Sequence, residues 1–211
     1  MPKISLKGLA KYMTSGAVKQ RKILKDYKYP NPEGQAQAAY YRDAKKYITE
    51  FHKDGRDVEW LTKKASQLQG LSQGAVQQRA VRLKHNARAI KKYARFFSGR
   101  DFSILDRISL RVAYAGVFIT VSPDLHVMER KREKVILLDF SKDEPEEQTV
   151  KIISQAMFQA QLEAGMGLTS TSVLYFDVSR GQEHRGARAG ARMLREIEAA
   201  CENIYAIWDG I

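Results

Sequence analysis

The hydrophobic pattern of the chain changes its period near residue 100, and this change constrains the fold more than any other feature. Before it, apolar residues recur at three- and four-residue steps, most clearly through Val76, Ile90 and Phe97, as they do on amphipathic helices. After it, residues 108–121 are rich in β-branched and aromatic side chains with partial alternation, which is typical of strands. The sequence therefore predicts a helical region over residues 1–100 and a mixed-sheet core over residues 101–211.

Glycine, proline and small polar residues divide the helical region into five predicted helices. Thr14-Ser15-Gly16 separates two short helices within residues 4–29, and the Pro- and Gly-rich segment 29–34 ends the second of them. Longer helices are predicted over residues 36–51, 58–69 and 72–97.

The second half of the chain predicts strands first and then alternating helices and strands. The predicted order is β-β-β-α-β-α, which indicates an α/β fold of the mixed α+β kind, with helices packed on a mixed sheet. The strands are expected over residues 108–121 with a bulge at Gly116, over 124–128, over 135–141 and over 172–178; the helices are expected over 146–164 and 191–208, and a loop over 181–190.

The positive charge of the chain is concentrated in its first hundred residues. The net charge is +12, yet residues 1–100 hold 23 Lys and Arg against 7 Asp and Glu, whereas residues 101–211 hold 13 against 17. Nucleic acid is the commonest partner of such a cationic surface, since each phosphate contact releases condensed counterions. An anionic membrane surface is the rival, but no basic stretch carries a wide Leu, Trp or Phe face. A merely solvated helical surface is the remaining alternative.

We therefore expect nucleic acid, DNA before RNA, as the partner, and no membrane. The candidate contacts are basic residues of the first helices, of the long helix that ends near residue 97, and of the Arg- and Gly-rich loop 181–190, where arginines near a helix N-terminus suit phosphate. They are Lys19, Arg21, Lys22, Lys25, Arg82, Lys84, Arg88, Lys91, Lys92, Arg185 and Arg188.

Several classes of protein are disfavoured by the sequence. No stretch is long and apolar enough to cross a bilayer, and the first ten residues lack the apolar core of a secretion signal, so we expect a cytoplasmic protein. The one cysteine, Cys201, leaves no partner for an internal disulfide or a cysteine-based zinc site, and its apolar neighbours predict a packed thiol.

Two carboxylates on neighbouring predicted strands form the candidate chemical site. Asp124 opens one strand and Asp139 lies near the end of the next, and a short hairpin makes these strands antiparallel. Two carboxylates on one face of a sheet can hold Mg²⁺, which would activate water against a phosphodiester. The alternatives are that Asp124 is a turn residue after Pro123 and that Asp139 has a structural Lys or Arg partner.

The segments around these acids resemble the RecB-like branch of the PD-(D/E)XK nuclease superfamily. The resemblance lies in Ser122-Pro123-Asp124-Leu125-His126-Val127, in Ile136-Leu137-Leu138-Asp139-Phe140-Ser141-Lys142, and in Gln155-Ala156-Met157-Phe158 on the following helix. It covers residues 107–208 and implies a restriction-endonuclease-like core. It also implies that Asp124 and Asp139 are catalytic and bind the metal, and that Gln155 supports them.

The chain departs from this family at one position. Ser141 stands where the family has a lysine that is thought to position or activate the attacking water, so Lys142 or Lys151 would have to replace it. Because losing one such electrostatic group costs on the order of a hundredfold in rate, we expect cleavage to be weak or absent.

Three functional hypotheses follow. The first is a nuclease-like protein of DNA repair, plasmid biology or phage defence, with weak or lost catalysis. The second is a non-enzymatic DNA- or RNA-binding protein that uses its basic helices. The third is an adaptor whose basic face meets an acidic protein.

Overall fold

A five-stranded mixed sheet lies between two helical layers in the computed structural model, which describes residues 1–30, 39–187 and 190–211. The chain is a mixed α/β protein, as the change of period predicts. The most buried strand, Val173–Asp177, has no exposed residue, as expected for a strand covered on both faces.

The central sheet has the order β2-β5-β6-β7-β8. Its neighbours are antiparallel except β6 and β7, which are parallel and joined through helix α6. These elements are β2 (Ser103–Ile104), β5 (Leu125–Glu129), β6 (Arg132–Asp139), α6 (Glu147–Glu163), β7 (Val173–Asp177) and β8 (Gln182–Arg185), with a 3₁₀ turn at Ser170–Ser172 before β7.

A small second sheet corrects two of the sequence predictions. Lys3–Ser5 forms strand β1, which pairs in parallel with β4 and buries Ile4, so the start of the chain is not helical as predicted. The predicted strand 108–121 is a hairpin of β3 (Leu110–Tyr114) and β4 (Val117–Val121). Ala115 and Gly116 both have positive φ (44° and 78°), so Gly116 belongs to a two-residue hairpin turn and not to a bulge.

Strand β8 corrects a third prediction. The sequence predicts a loop over residues 181–190 because the segment is rich in Arg and Gly, but Gln182–Arg185 pairs with β7 as the edge strand. An edge strand needs few apolar residues, which removes the usual hydrophobic signal.

The helices follow the predicted segments with shifted ends. The long helix begins at Gln77 instead of Ser72, because Ser72 caps the preceding helix through a hydrogen bond from its hydroxyl to the Gln69 carbonyl (2.6 Å). Positions 36–38 of another predicted helix lie outside the described residues. The observed helices are α1 (Leu6–Met13), α2 (Ala17–Lys28), α3 (Arg42–Lys53), α4 (Val58–Leu71), α5 (Gln77–Phe97) and α7 (Ala191–Ile207).

The central sheet separates two hydrophobic cores. Alternate residues of β6 point to opposite sides: Val135 and Leu137 enter the first core, and Ile136 and Leu138 enter the second. Helices α1, α2, α6 and α7 and the small sheet build the first core, whereas α3, α4 and α5 build the second. The first hundred residues thus contribute to both cores. Among the described helices, none combines the length and the apolar character that a membrane crossing requires.

Candidate functional site

The two candidate acids lie at the same edge of the central sheet. Asp139 is the last residue of β6, and the parallel register places it beside Asp177, the last residue of β7. Asp124 directly precedes β5, which runs antiparallel to β6 and therefore begins where β6 ends. We call this region the carboxyl edge. In open α/β sheets, ligands bind outside the carboxyl ends of parallel strands.

Asp139 is held by groups from three parts of the chain. The Lys7 ammonium of α1 lies 3.2 Å from one carboxylate oxygen, and the Ser141 hydroxyl donates to the other. Burial alone would raise the pKa of Asp139, but Lys7 and the hydroxyls of Ser141 and Tyr175 hold it below its usual value. Asp139 is therefore a carboxylate at neutral pH.

Asp124 has a separate set of partners. Its Oδ1 lies 2.5 Å from the Lys45 ammonium of α3, and its Oδ2 accepts a hydrogen bond from the Leu138 backbone N–H (2.8 Å). The backbone N–H of Asp124 in turn donates to the Ile136 carbonyl (2.8 Å). Asp124 thus both caps the start of β5 and ties it to β6.

The contacts of the two acids run to helices on opposite faces of the sheet. Lys7 belongs to α1 on the side of the first core, and Lys45 belongs to α3 on the side of the second. Each carboxylate has its own lysine, and no group of three metal-binding side chains is found among the described residues. The residues as placed do not fit a divalent cation, since Lys7 and Lys45 already neutralise the charges that would attract it.

The other residues that the resemblance singled out are not among the hydrogen-bond or ion-pair partners of Asp139. Lys151 pairs with Glu147 on the exposed side of α6 (2.7 Å). Gln155 is buried and lines a cavity of about 670 Å³ together with His184. Lys142 follows the carboxyl end of β6 and lines a different, smaller cavity. The ammonium at Asp139 comes from Lys7, which sequence reasoning missed because it lies 132 residues away in the chain.

A cavity rich in cations opens at the carboxyl edge on the side of the second core. We call it the basic pocket; it measures about 40 Å³ and is lined mainly by Tyr41, His85, Arg88, Lys92 and Lys142. Among the described residues, none of Arg88, Lys92 and Lys142 makes an ion pair with a carboxylate. Burial lowers the pKa of His85, and the charges of Lys142 and Arg88 lower it further.

Hydrogen bonds fix the walls of the basic pocket. The Tyr41 hydroxyl donates to the Phe140 carbonyl (3.3 Å), and their rings lie 4.8 Å apart. Arg180, paired with Asp177, donates to the carbonyl of Lys142 (2.5 Å) and so holds the segment after β6. Lys92 donates to the Ser179 carbonyl (2.8 Å). The pocket is therefore built by ordered backbone and not by loose side chains alone.

A second cationic depression lies on the other side of the start of α3. We call it the basic groove; it measures about 630 Å³ and contains five cations against the carboxylates of Glu50 and Asp124. Tyr41 lines the pocket and its neighbour Arg42 lines the groove, so the two are adjacent across the N-terminus of α3. The cations of the groove are Arg42, Lys45, Lys46, Lys53 and Arg107.

The basic residues predicted to contact nucleic acid fall on different surfaces. Arg82, Lys84, Arg88, Lys91 and Lys92 lie on α5, and Lys91 donates to Gln69 (2.9 Å). Arg185 on β8 pairs with Glu183, and Arg188 lies outside the described residues. The exposed cations of α2, on the side of the first core, cannot join those of α5 in one patch; they are Lys19, Arg21, Lys22 and Lys25.

No family model matches the chain, and no curated protein matches it.

Proposed function

We propose that the chain binds nucleic acid at the carboxyl edge of its central sheet, with the phosphate backbone crossing the N-terminus of α3 between the basic pocket and the basic groove. The observation that carries this proposal is the basic pocket, where three cations meet without a carboxylate partner among the described residues. Phosphates would release condensed counterions there, and this release supplies most of non-specific affinity.

The shape of the site favours a chain of phosphates over an acidic protein surface. Cations lie both in the pocket and in the adjacent groove, and Tyr41 between them is half-buried with its ring against Phe140. An extended polyanion would contact both depressions at once. Phosphate contacts position a nucleic acid but do not read bases, so binding should depend weakly on sequence.

The nuclease-like core is part of the proposal, with cleavage weak or absent. The carboxylates of Asp124 and Asp139 meet Lys45 and Lys7 in place of a cation shared between them. Mg²⁺ would bind at Asp139 only after Lys7 had moved away, so no step of phosphodiester hydrolysis is assigned to these residues. The proposed role is binding in a nucleic-acid transaction such as repair, plasmid biology or phage defence.

Gel-shift titration tests the proposal. Single-stranded DNA, double-stranded DNA and RNA of one sequence are titrated at low salt with the wild type and with Arg88→Gln/Lys142→Gln. The matched control is Lys19→Gln/Lys22→Gln, which removes the same charge from the opposite side of the sheet. We expect binding by the wild type and the control and clear weakening in the first variant. No binding by the wild type would overturn the proposal and favour the adaptor hypothesis.

Cleavage is measured in the same samples with Mg²⁺ and with Mn²⁺. We expect little or no product over hours. Robust cleavage that Asp139→Ala abolishes would contradict the expectation of weak catalysis while leaving nucleic-acid binding intact.

A further inference from the structure

A third cationic depression lies at the opposite end of the central sheet. The β5–β6 hairpin turns there, and the end of α5 and strand β8 complete a cleft of about 530 Å³. Its lining consists only of charged residues: Arg100, Glu129, Arg130, Arg132, Lys134 and Arg185. We call it the hairpin cleft. Five of its six lining residues are cations and the sixth is Glu129, so the lining carries a net positive charge.

The two acids near the hairpin cleft, Glu129 and Glu183, already form ion pairs with cations of the cleft. Arg100 donates to both oxygens of Glu129 (2.5 and 2.8 Å), and Lys134 contacts the same carboxylate. The carboxylate of Glu183 forms ion pairs with Arg100 and Arg185. Hydrogen bonds from Arg100 and Lys134 hold the pKa of Glu129 at about 2, against the effect of burial. Because both acids are engaged, the remaining cations of the cleft are left for an outside anion.

Arg130 and Arg132 are those remaining cations. Both are exposed, and among the described residues neither pairs with a carboxylate. The guanidinium of Arg100, beside them, is fixed by its two carboxylates and by the rings of Phe102 and Phe176, whose centroids lie 5.0 and 5.4 Å away. A fixed guanidinium loses little freedom on binding, which favours affinity for phosphate.

The hairpin turn holds its basic residues in an unfavourable backbone conformation. Arg130 and Lys131 have φ of 49° and 62°, the left-handed region, and a two-residue turn of this kind strongly prefers Asn-Gly. Each non-glycine residue there is held at a cost to stability. The turn keeps two cations where a neutral pair would be more stable, and it places Arg130 in the lining of the cleft.

We propose that the hairpin cleft binds closely spaced phosphates, such as those of a nucleotide triphosphate or of a nucleic-acid strand. A single phosphate would engage only part of a cleft of about 530 Å³, whereas a run of phosphates would contact Arg130 and Arg132, the two lining cations without a carboxylate partner among the described residues, at the same time. The site is separate from the carboxyl edge, since it lies at the other end of β5 and β6.

Titration calorimetry with inorganic triphosphate at low salt tests this site. The informative variant is Arg130→Asn/Lys131→Gly, which supplies the preferred turn residues and removes two charges. We expect its affinity for triphosphate to fall tenfold or more while its melting temperature stays equal or rises. Arg132→Gln should weaken binding by a similar factor. Arg88→Gln reports any binding of triphosphate at the carboxyl edge, and the control Lys11→Gln, at an exposed position of α1, should leave triphosphate affinity unchanged.

Two further arms separate the sources of the phosphates. A nucleoside triphosphate that binds tenfold more tightly than triphosphate indicates a free nucleotide, and displacement of triphosphate by a short DNA strand indicates nucleic acid. Absence of triphosphate binding in the wild type, or equal affinity in the wild type and the turn variant, would overturn the proposal. Loss of triphosphate affinity in Arg88→Gln alone would also overturn it, because the anion would then bind at the carboxyl edge.

Discussion

At the scale of single residues, Asp139 owes its charge to Lys7. The carboxylate is largely buried, and burial by itself favours the protonated form. The ammonium of Lys7 at 3.2 Å reverses this preference, although the Lys7 side chain is itself 47% exposed. An ammonium from α1 therefore lies beside Asp139, and Ser141 donates a hydrogen bond to the same carboxylate.

Lys7→Gln should therefore raise the pKa of Asp139 relative to the wild type. Burial would remain, and the largest lowering influence would be gone. Carbon-detected NMR titration of the Asp139 carboxyl group measures this shift directly. Lys11→Gln, which removes the same charge from another exposed position of α1, is the control. An unchanged pKa in Lys7→Gln would show that Lys7 does not govern the charge of Asp139.

Glu129 gives a prediction for stability against pH. Its folded pKa is about 2 and its ordinary value is 4.5, so the unfolded chain binds the proton more tightly. The stabilisation is complete above pH 4.5 and is lost as the pH falls from 4.5 toward 2. Glu129→Gln should lower the free energy of unfolding by about 3 kcal/mol at pH 7, because it leaves Arg100 and Lys134 without their shared acid.

Urea unfolding of the wild type and Glu129→Gln between pH 2 and 7 measures this effect. The difference between the two proteins should shrink below pH 4.5. A difference that stays constant down to pH 2 would mean that the charge of Glu129 is not what stabilises the fold.

At the scale of elements, the end of β8 depends on a glycine. Gly186 follows the strand, and its N–H donates to the Val173 carbonyl (2.8 Å). A Cβ at this position would lie 2.4 Å from the Ser170 carbonyl oxygen, which is backbone and cannot rotate away. The β7–β8 pairing and the 3₁₀ turn before β7 therefore require a residue without a side chain here.

Gly186→Ala should destabilise the protein by about 1–3 kcal/mol, the usual range for overpacking a tight site. Gly167→Ala is the control, because nothing lies within 4 Å of a Cβ at that position. Thermal unfolding of both variants makes the comparison. Equal melting temperatures would show that the backbone at Ser170 yields at no cost.

Some elements leave a clear hydrophobic pattern in the sequence, and others do not. The sequence predicts helix α5, because burial of one helix face makes apolar residues recur at three- and four-residue steps. It also predicts strand β7, because burial of both strand faces leaves a continuous apolar run. Strand β1 has only three residues and β8 is polar, so neither leaves such a pattern.

The candidate site was predictable only in part. The hairpin between β5 and β6 follows from local sequence and brings Asp124 and Asp139 to one edge. Their partners Lys45 and Lys7 come from helices on opposite faces of the sheet, and only tertiary packing decides which surface lysine reaches an acid. The function assigned from the resemblance remains a proposal.

At the scale of the whole molecule, the excess positive charge is divided among several surfaces. The basic pocket and basic groove flank the start of α3, the hairpin cleft lies at the far end of the sheet, and the cations of α2 lie on the side of the first core. The net charge of +12 alone would attract any polyanion weakly. We propose more specifically that the phosphate contacts of DNA lie at the carboxyl edge.

The salt dependence of DNA affinity tests this claim most directly. Fluorescence anisotropy of a labelled duplex is measured between low and physiological salt for the wild type, Arg88→Gln/Lys142→Gln and Lys19→Gln/Lys22→Gln. Each phosphate contact contributes about 0.9 to the magnitude of the slope of log affinity against log salt. Because Arg88→Gln/Lys142→Gln removes two cations, the magnitude of its slope should be smaller than that of the wild type by about 2. The α2 variant should keep the slope of the wild type. Equal slopes for the wild type and Arg88→Gln/Lys142→Gln, or a loss of slope only in the α2 variant, would contradict the claim.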